Sequence, residues 1–160
     1  MIRSARGLTL IELLVTLLIL SILASAALPY AEITVRRNNE IELRRALREI
    51  RDAIDRYHEE LLTGKIPKTS ETASEDKYPR TLRVLTEGVP LGDQLGKRRI
   101  YLRRIPIDPF ADQTRPAEEQ WVLRSYQDER ASAAWSGRDV YDIRSASEQI
   151  ALDGSRYRDW

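Results

Sequence analysis

A 21-residue apolar run near the start of the chain, from Leu8 to Leu28, constrains its fold more than any other feature. The only charged residue inside this run is Glu12. As a helix rising about 1.5 Å per residue, the run would be about 31 Å long, which matches the roughly 30 Å hydrocarbon core of a bilayer. A charge near the middle of such a helix costs about 2.5–3.5 kcal/mol, so an acid kept inside it requires a specific reason.

The alternative interpretation of this run is a removed secretory signal peptide, with Ala24-Ser25-Ala26 as its cleavage site. Three features favour a retained membrane anchor instead. The apolar stretch from Leu8 to Leu23 is longer than a usual signal core, and Glu12 interrupts it. The helical pattern also continues beyond Ala26. We therefore expect an anchor that stays in the mature protein.

Basic residues on either side of the run bear on its orientation. Arg3 and Arg6 precede it, and the positive-inside rule places that end in the cytoplasm. Four arginines beyond the run weaken this bias, although three glutamates are mixed among them (Arg36, Arg37, Arg44, Arg45; Glu32, Glu40, Glu42). The rest of the chain is expected on the opposite side of the membrane.

Length and composition exclude several classes of protein. The chain has 160 residues, which suffices for an anchor and one domain. Without Arg3 and Arg6, 24 basic residues face 25 acidic ones, so nucleic-acid binding as a main role has no support. The absence of cysteine excludes disulfides, thiolate metal sites and cysteine nucleophiles.

An amphipathic helix is predicted beyond the apolar run. Pro29 is expected to kink the helix without ending it, because helical patterning resumes at once. Apolar residues then recur at steps of three and four on one face, at Leu43, Leu47, Ile50, Ile54, Tyr57 and Leu61. Gly64 and Pro67 end the pattern. This stripe is either a coiled-coil seam or, as we favour, the face that packs on a small domain.

The remaining chain alternates short elements and turns. Thr69 to Lys77 is polar and predicts an exposed loop. Tyr78-Pro79 is expected to open a short helix, with Pro in its first turn and Gly88 as its stop. The apolar side of this helix would consist of Leu82 and Leu85.

Three strand-like segments follow: Ile100 to Ile107, Gln120 to Tyr126, and Asp139 to Arg144. Pro106 makes the first an edge strand or a strand end. Three short strands need a partner to form a core, and the amphipathic helix stripe supplies one. The predicted fold is α+β: a lollipop in which a long N-terminal helix supports a small antiparallel sheet.

The N-terminal residues resemble those of a known family. Gly7-Leu8-Thr9-Leu10-Ile11-Glu12-Leu13-Leu14, followed by Pro29, is similar to the start of type IV pilins and of the pseudopilins of type II secretion. This resemblance implies that a prepilin peptidase cuts between Gly7 and Leu8 and methylates the amine of Leu8. Leu8 stands where the family more often has Phe. Residues 1–7 would then be the leader, 8–29 the transmembrane and assembly helix, 30–63 its amphipathic continuation and 64–160 a periplasmic head.

A second motif narrows the resemblance. Tyr78-Pro79 and the run Tyr101-Leu102-Arg103-Arg104-Ile105-Pro106-Ile107-Asp108-Pro109-Phe110 look like the major pseudopilin of type II secretion. That subunit often holds calcium in a C-terminal loop rich in Asp and Gly. The corresponding stretch here contains Glu148, Asp153-Gly154 and Asp159, without the regular alternation of a calcium loop. We expect no cofactor and no metal, with calcium in this loop as the alternative.

The resemblance also suggests a role for the buried acid. Cleavage would expose an amine at Leu8 that is largely protonated at neutral pH. Our hypothesis is that Glu12 of one subunit pairs with the Leu8 amine of a neighbour, which also fixes the axial step between subunits. The alternative is that the carboxylate of Glu12 has no function and is either protonated or extended toward the membrane–water interface.

Other candidate residues carry weaker signals. His58 is the only histidine, so no histidine metal pair exists. Asp108-Pro109 is interpreted as a structural turn. Trp135 is either an exposed contact or a core residue capping the sheet. The arginines of Lys97-Arg98-Arg99 and Arg103-Arg104 are expected on a solvated face.

Together these features predict a non-enzymatic pseudopilin that polymerises into a periplasmic fibre and drives type II secretion. The expected partners are copies of itself, minor pseudopilins, prepilin peptidase, an inner-membrane assembly platform and lipid. It would be a single-pass inner-membrane protein with a cytoplasmic N-terminus and a periplasmic C-terminal domain. A separate ATPase must supply energy, because the chain lacks a phosphate-binding loop. The alternatives are a type IV or competence pilin, or a tethered periplasmic binding domain that never polymerises.

Overall fold

A computed structural model describes residues 7–69, 71–91, 96–129 and 134–160, with backbone alone at 26–28. The chain forms two compact units, Met1–Asn38 and Asn39–Trp160. The second unit, which we call the head, contains the hydrophobic core and all of the β-structure described. The α+β class predicted for the chain is confirmed by one long N-terminal helix and small antiparallel sheets.

The first helix, α1, runs from Leu10 to Leu62 over 53 residues. It continues through Pro29, as predicted, although Pro29 has no N–H to bond the carbonyl of Ser25. A kink at this position stays a prediction. Beyond Leu62 the chain turns at Gly64, whose φ of 72° is in the left-handed region that glycine adopts without steric cost.

The second half of α1 forms one side of the hydrophobic core of the head. All six residues of the predicted stripe are buried, and Ala46 and Ala53 lie between them (Leu43, Leu47, Ile50, Ile54, Tyr57, Leu61). Leu85, Val89, Val140, Ile143 and Tyr157 complete the buried cluster from the rest of the head. Full burial of one such aliphatic side chain stabilises the fold by about 1.5–3 kcal/mol. The stripe therefore packs on its own domain, and the coiled-coil alternative is wrong.

The second helix, α2, spans Leu82–Glu87, with Leu82 and Leu85 buried as predicted and Gly88 as its C-cap. The expectation that Pro79 opens this helix is wrong. Pro79 instead forms an isolated antiparallel bridge with Ala73, and its carbonyl accepts the N–H of Val140 at 2.8 Å. These extended contacts hold Pro79 outside the helix.

The loop before α2 is irregular, as expected, but it is not uniformly exposed. Ala73 and Ser74 are buried. Ser74 donates its N–H to the carbonyl of Tyr78 at 2.9 Å, and its Oγ accepts the N–H of Tyr78 at 3.2 Å. A polar residue lies inside here because the turn itself satisfies its hydrogen bonds.

The described β-structure consists of two separate antiparallel pairs. Strand β1 (Val89–Pro90) pairs with β2 (Arg98–Arg99), and β3 (Trp121–Arg124) pairs with β4 (Asp142–Ser145). In the second pair Trp121 is opposite Ser145 and Arg124 is opposite Asp142. Two of the three predicted strand segments are thus confirmed, each over four residues, and the second ends one residue past its predicted end at Arg144.

The predicted strand from Ile100 to Ile107 is wrong, and with it the single three-stranded sheet. This segment is irregular. The N–H groups of Tyr101 and Leu102 both donate to the carbonyl of Leu85, each at 3.0 Å, which no strand ladder permits. Pro106 removes a further donor. The segment packs on the end of α2 instead of extending a sheet.

Candidate assembly segment

The first turn of α1 is organised around Thr9 and Glu12. The Oγ1 of Thr9 accepts the N–H of Glu12 at 3.3 Å, and the carbonyl of Thr9 accepts the N–H of Leu13 at 3.1 Å. Thr9 is therefore the N-cap, and Glu12 occupies the third helical position, where a carboxylate interacts favourably with the helix dipole. The Thr-x-x-Glu spacing of a capping box was visible in the sequence, but we had assigned Glu12 only to assembly.

The other polar side chains of the apolar run are satisfied within their own helix. Thr16 donates its hydroxyl to the carbonyl of Leu13, and Ser21 donates to that of Leu18, both at 2.9 Å. Within the described part of the chain, the carboxylate of Glu12 makes no hydrogen bond or ion pair. Glu12 therefore has an acceptor group to offer a partner outside its own chain.

The apolar side chains of the run have no protein cover in a single chain. Large aliphatic residues from Leu8 to Leu23 are about half to three-quarters exposed. Among the described residues, α1 is the one helix long and apolar enough to cross a membrane, and none of its most apolar window is buried. Such a surface requires lipid or another protein around it.

Gly7 and Leu8, the residues of the expected cleavage site, lie before α1 and are exposed. The rest of the leader, including Arg3 and Arg6, lies outside the described residues. Leu8 is two residues before the start of the helix whose first turn contains Glu12. Pairing between the Leu8 amine and Glu12 was expected between chains, and it stays a prediction.

A charged cluster joins the end of α1 to the β1–β2 hairpin. Arg99 contacts the carboxylate of Glu60 through two nitrogens, at 2.6 and 3.1 Å, and the hydroxyl of Tyr101 donates to the same carboxylate at 2.8 Å. Burial raises the pKa of Glu60, but the hydrogen bonds from Arg99 and Tyr101 outweigh this and leave it below the usual value. Arg98 donates to the carbonyls of Glu87 and Gly88. These arginines are exposed, as expected of a solvated face, and they also hold the hairpin.

Asp108 is fully buried at the turn it forms with Pro109. Its carboxylate accepts the hydroxyl of Ser145 at 2.6 Å and the N–H of Phe110 at 2.8 Å. Phe110 in turn stacks on Tyr157, with ring centroids 4.0 Å apart. With both carboxylate oxygens engaged by the fold, these contacts support the interpretation of Asp108-Pro109 as a structural turn.

The acidic side chains of the C-terminal loop form hydrogen bonds or ion pairs with other groups of the protein. Asp153 accepts the N–H and the hydroxyl of Ser155 and pairs with Arg44 at 3.1 Å; these Ser155 bonds, more than Arg44, lower its pKa. Glu148 and Asp159 both lie near Arg158. Among the described residues, no group of three or more His, Cys, Asp and Glu is placed to hold a metal ion.

Two aromatic candidates also have defined surroundings. His58 stacks on Tyr78, with ring centroids 4.1 Å apart, and its Nδ1 is 3.0 Å from the carbonyl of Lys77. Burial, with smaller effects from neighbouring tyrosines and acids, raises the pKa of Tyr78 to about 12. Trp135 is 38% exposed, so of its two alternatives the core residue is wrong.

Comparison with known proteins adds one finding. The family model for the prokaryotic N-terminal methylation motif matches residues 2–28, which include Leu8, Glu12 and most of the apolar run. No curated protein and no solved structure matches the chain. The match supports the resemblance of the N-terminus and does not extend to the head. Residues 2–28 thus carry the N-terminal methylation motif, which supports a type IV pilin-like subunit.

Proposed function

We propose that this protein is a pseudopilin: a structural subunit that polymerises into a periplasmic fibre and drives type II secretion. The observation that carries the proposal is the free carboxylate of Glu12 in the first turn of a helix whose apolar surface is uncovered. The methylation motif over the same residues supports a type IV pilin-like subunit. The head motif from Tyr101 to Phe110 is the basis for preferring the secretion system.

Processing is the first step of the proposed function. A prepilin peptidase cuts after Gly7 and methylates the new amine on Leu8. The amine is then a positive charge two residues before the positive end of the α1 dipole, where it is disfavoured. A carboxylate from another subunit removes this disadvantage, because an ion pair in an apolar setting is far less costly than two separate charges.

Assembly follows from that pairing. Glu12 of one subunit binds the Leu8 amine of the next, and the exposed aliphatic side chains of the two helices exchange lipid contacts for protein contacts. Leaving one charge of a buried pair without its partner costs about 3–5 kcal/mol. The partners of the proposed subunit are its own copies, minor pseudopilins, the prepilin peptidase and an inner-membrane platform. We place its head in the periplasm and its N-terminus in the cytoplasm.

The decisive experiment compares Glu12→Leu, Glu12→Gln and Thr9→Ala in cells that contain a prepilin peptidase. All three variants should insert into the membrane. We expect Glu12→Leu and Glu12→Gln to lose fibres and secretion, since neither side chain carries a negative charge. Thr9→Ala removes the cap but not the charge, so it should still assemble. Normal fibres from Glu12→Leu would refute the pairing.

Two further measurements separate the alternatives. Mass spectrometry of the membrane-extracted protein should show loss of residues 1–7 and one added methyl group, and Gly7→Ala should block both changes; a simple tether stays uncut. Because the chain has no cysteine, a single Leu14→Cys variant reports subunit contacts by cross-linking. Cross-linked dimers recovered from the periplasm support a pseudopilin, whereas cross-linked dimers recovered from sheared surface fibres support a type IV or competence pilin.

A further inference from the structure

Two arginines of the head face the same aspartate, and the fold bonds one of them. Arg51, on α1, donates its Nε to the Oδ1 of Asp142 at 2.8 Å. Its Nη2 donates to the carbonyl of Ile143 and to the main-chain oxygen of Trp160, each at 2.9 Å. The donors of Arg51 are therefore used to join α1 to β4 and to the C-terminal segment.

Arg124, on β3, is the second of these arginines. It is opposite Asp142 in the β3–β4 pair, but its Nη2 is 3.6 Å from the Oδ2 of Asp142, which is too long for a hydrogen bond. Within the described residues, the guanidinium of Arg124 makes no hydrogen bond, and its Nε is the one buried side-chain nitrogen or oxygen without a partner. Because a guanidinium has five N–H donors and a buried unpaired donor is costly, Arg124 favours a further acceptor.

The guanidinium of Arg124 is nevertheless held in a defined position. Its Cζ is 5.3 Å from the centroid of the Tyr141 ring, within the range of a cation–π contact. Its side chain is 25% exposed, so part of it reaches solvent. A guanidinium that already packs on an aromatic ring loses little further conformational freedom when it binds a ligand. Arg124 thus combines order and access with unused donors.

A polar cleft of about 780 Å³ lies beside this group, and both Arg124 and Asp142 line it. This volume is within the range of about 300–1,000 Å³ for small-molecule sites. Arg144 and Arg158 line the cleft as well, and Arg158 donates to Glu148 at 2.9 Å. A cleft with several arginines in its wall attracts anions.

The charges around Arg124 select the type of anion. The one carboxylate of Asp142 faces two guanidinium groups, so this group of three has one positive charge in excess. A carboxylate supplies one negative charge, and its two oxygens match two parallel N–H groups of a guanidinium. Asp128 and Asp159 line the same cleft, and their charges disfavour a doubly charged anion such as phosphate.

We propose that this cleft binds the carboxylate group of an organic ligand, with two N–H groups of Arg124 as the donors. A free organic acid and a Glu or Asp side chain of a peptide share this chemistry. Asp142 keeps its bond to Arg51 when the ligand binds, so the fold itself need not change. The inference does not depend on whether the chain polymerises.

The test uses the full chain in dodecyl maltoside micelles, whose headgroup carries no charge. Butyrate, the peptide acetyl-Gly-Glu-Gly-amide, its Gln counterpart and inorganic phosphate are titrated while the indole N–H signals of the three tryptophans are followed by NMR. We expect saturable binding of at least one of the two carboxylates, with a Kd of about 1 mM or tighter. The tighter of the two identifies the source of the carboxylate.

The tryptophan signals locate the binding. Trp160 lines the cleft, so its signal should shift, whereas that of Trp121, which bonds the carbonyl of Pro106 and lies outside the cleft, should not. The Gln peptide has the same size and lacks the charge. We expect it and phosphate to bind at least about tenfold more weakly than the preferred carboxylate.

Variants then assign the site. Arg124→Gln removes the charge and should weaken binding at least about tenfold, whereas Arg124→Lys keeps the charge without the paired donors and should weaken it about two- to tenfold. Circular dichroism checks the fold, and Arg124→Lys carries the test if Arg124→Gln does not fold. Arg104→Gln is the matched control and should bind normally, because Arg104 is exposed but lines a different cleft.

Four results would each overturn the proposal. They are absence of saturable binding by either carboxylate, equal or tighter binding of the Gln peptide or of phosphate, an unchanged Trp160 signal at saturation, and wild-type affinity in both Arg124 variants. An equal loss of binding in Arg104→Gln would also contradict it, because the effect would then reflect the overall charge of the head.

Discussion

Glu40 offers the sharpest test of how the head holds its C-terminal segment. Its side chain is 9% exposed, and a single oxygen, Oε1, accepts both the N–H of Leu152 at 2.7 Å and the hydroxyl of Tyr157 at 2.9 Å. Glu40→Ala removes the carboxylate oxygen that both donors share. Removing the acceptor of a buried donor costs about 1–3 kcal/mol, so for two donors we expect a loss of about 2–6 kcal/mol in the free energy of unfolding.

Glu40→Gln is the matched control. Because one oxygen serves both donors, the amide oxygen of glutamine can accept both bonds, and only the strength that charge adds is lost. We expect this variant to lose about 1–2 kcal/mol, since hydrogen bonds to charged groups are about twice as strong as neutral ones. The order of stability should be wild type, then Glu40→Gln, then Glu40→Ala.

Urea unfolding of the full chain in micelles, followed by tryptophan fluorescence and far-ultraviolet circular dichroism, gives these free energies. Tyr157→Phe removes one of the two donors and completes a double-mutant cycle with Glu40→Ala. We expect a coupling energy of about 1–2 kcal/mol. If Glu40→Ala costs less than about 0.5 kcal/mol, or if the cycle is additive, the argument that Glu40 holds the C-terminal segment is wrong.

Three further predictions follow from the head. The pKa of Glu60 is below its ordinary value of 4.5, so its charge stabilises the head above the pKa of the unfolded chain. This contribution is lost as the pH falls through the pKa of the folded chain. Glu60→Gln should therefore flatten the acid side of a stability–pH curve below about pH 4.5, and an unchanged curve would contradict this. Gly88→Ala should destabilise the head more than Gly137→Ala in thermal melts, because both have φ near +75° but only at Gly88 would a Cβ lie 2.8 Å from the carbonyl oxygen of Arg99. Arg44 and Ser155 already bind the carboxylate of Asp153, so adding calcium or a chelator should not change the Tm. Arg44→Ala should lower the Tm, because it removes one of these contacts. A rise in Tm with calcium would refute this interpretation.

Local patterns predicted the helices well. The length of the apolar run identified a segment that can span a membrane. The helical spacing of the apolar residues from Leu43 to Leu61 predicted that this stripe is buried, and it is. Gly88 ended α2 because a positive φ there requires glycine. The start of α2 was misplaced, since the sequence around Pro79 does not reveal its bridge to Ala73.

Strand prediction was weaker for a physical reason. The apolar residues from Ile100 to Ile107 fit a strand, but a strand exists only where a partner supplies the complementary ladder. Leu85 accepted two of the N–H groups instead. Similarly, nothing in the sequence next to Arg98 and Arg99 predicts that they bind the end of α2 and Glu60.

For the candidate assembly segment, the sequence by itself determined the main features: the N-terminal motif, the length of the apolar run and the single acid in the first turn of the helix. Each of these features depends on residues that are close together in the chain. In the head, only the tertiary structure showed which polar groups bind each other. The carboxylate of Glu40 accepts the N–H of Leu152 across 112 residues, and Asp139 accepts the backbone N–H of Tyr126 and the indole N–H of Trp135. Helical periodicity acts over one or two turns, whereas the partners of a buried carboxylate are set by how distant segments pack, which no local pattern encodes.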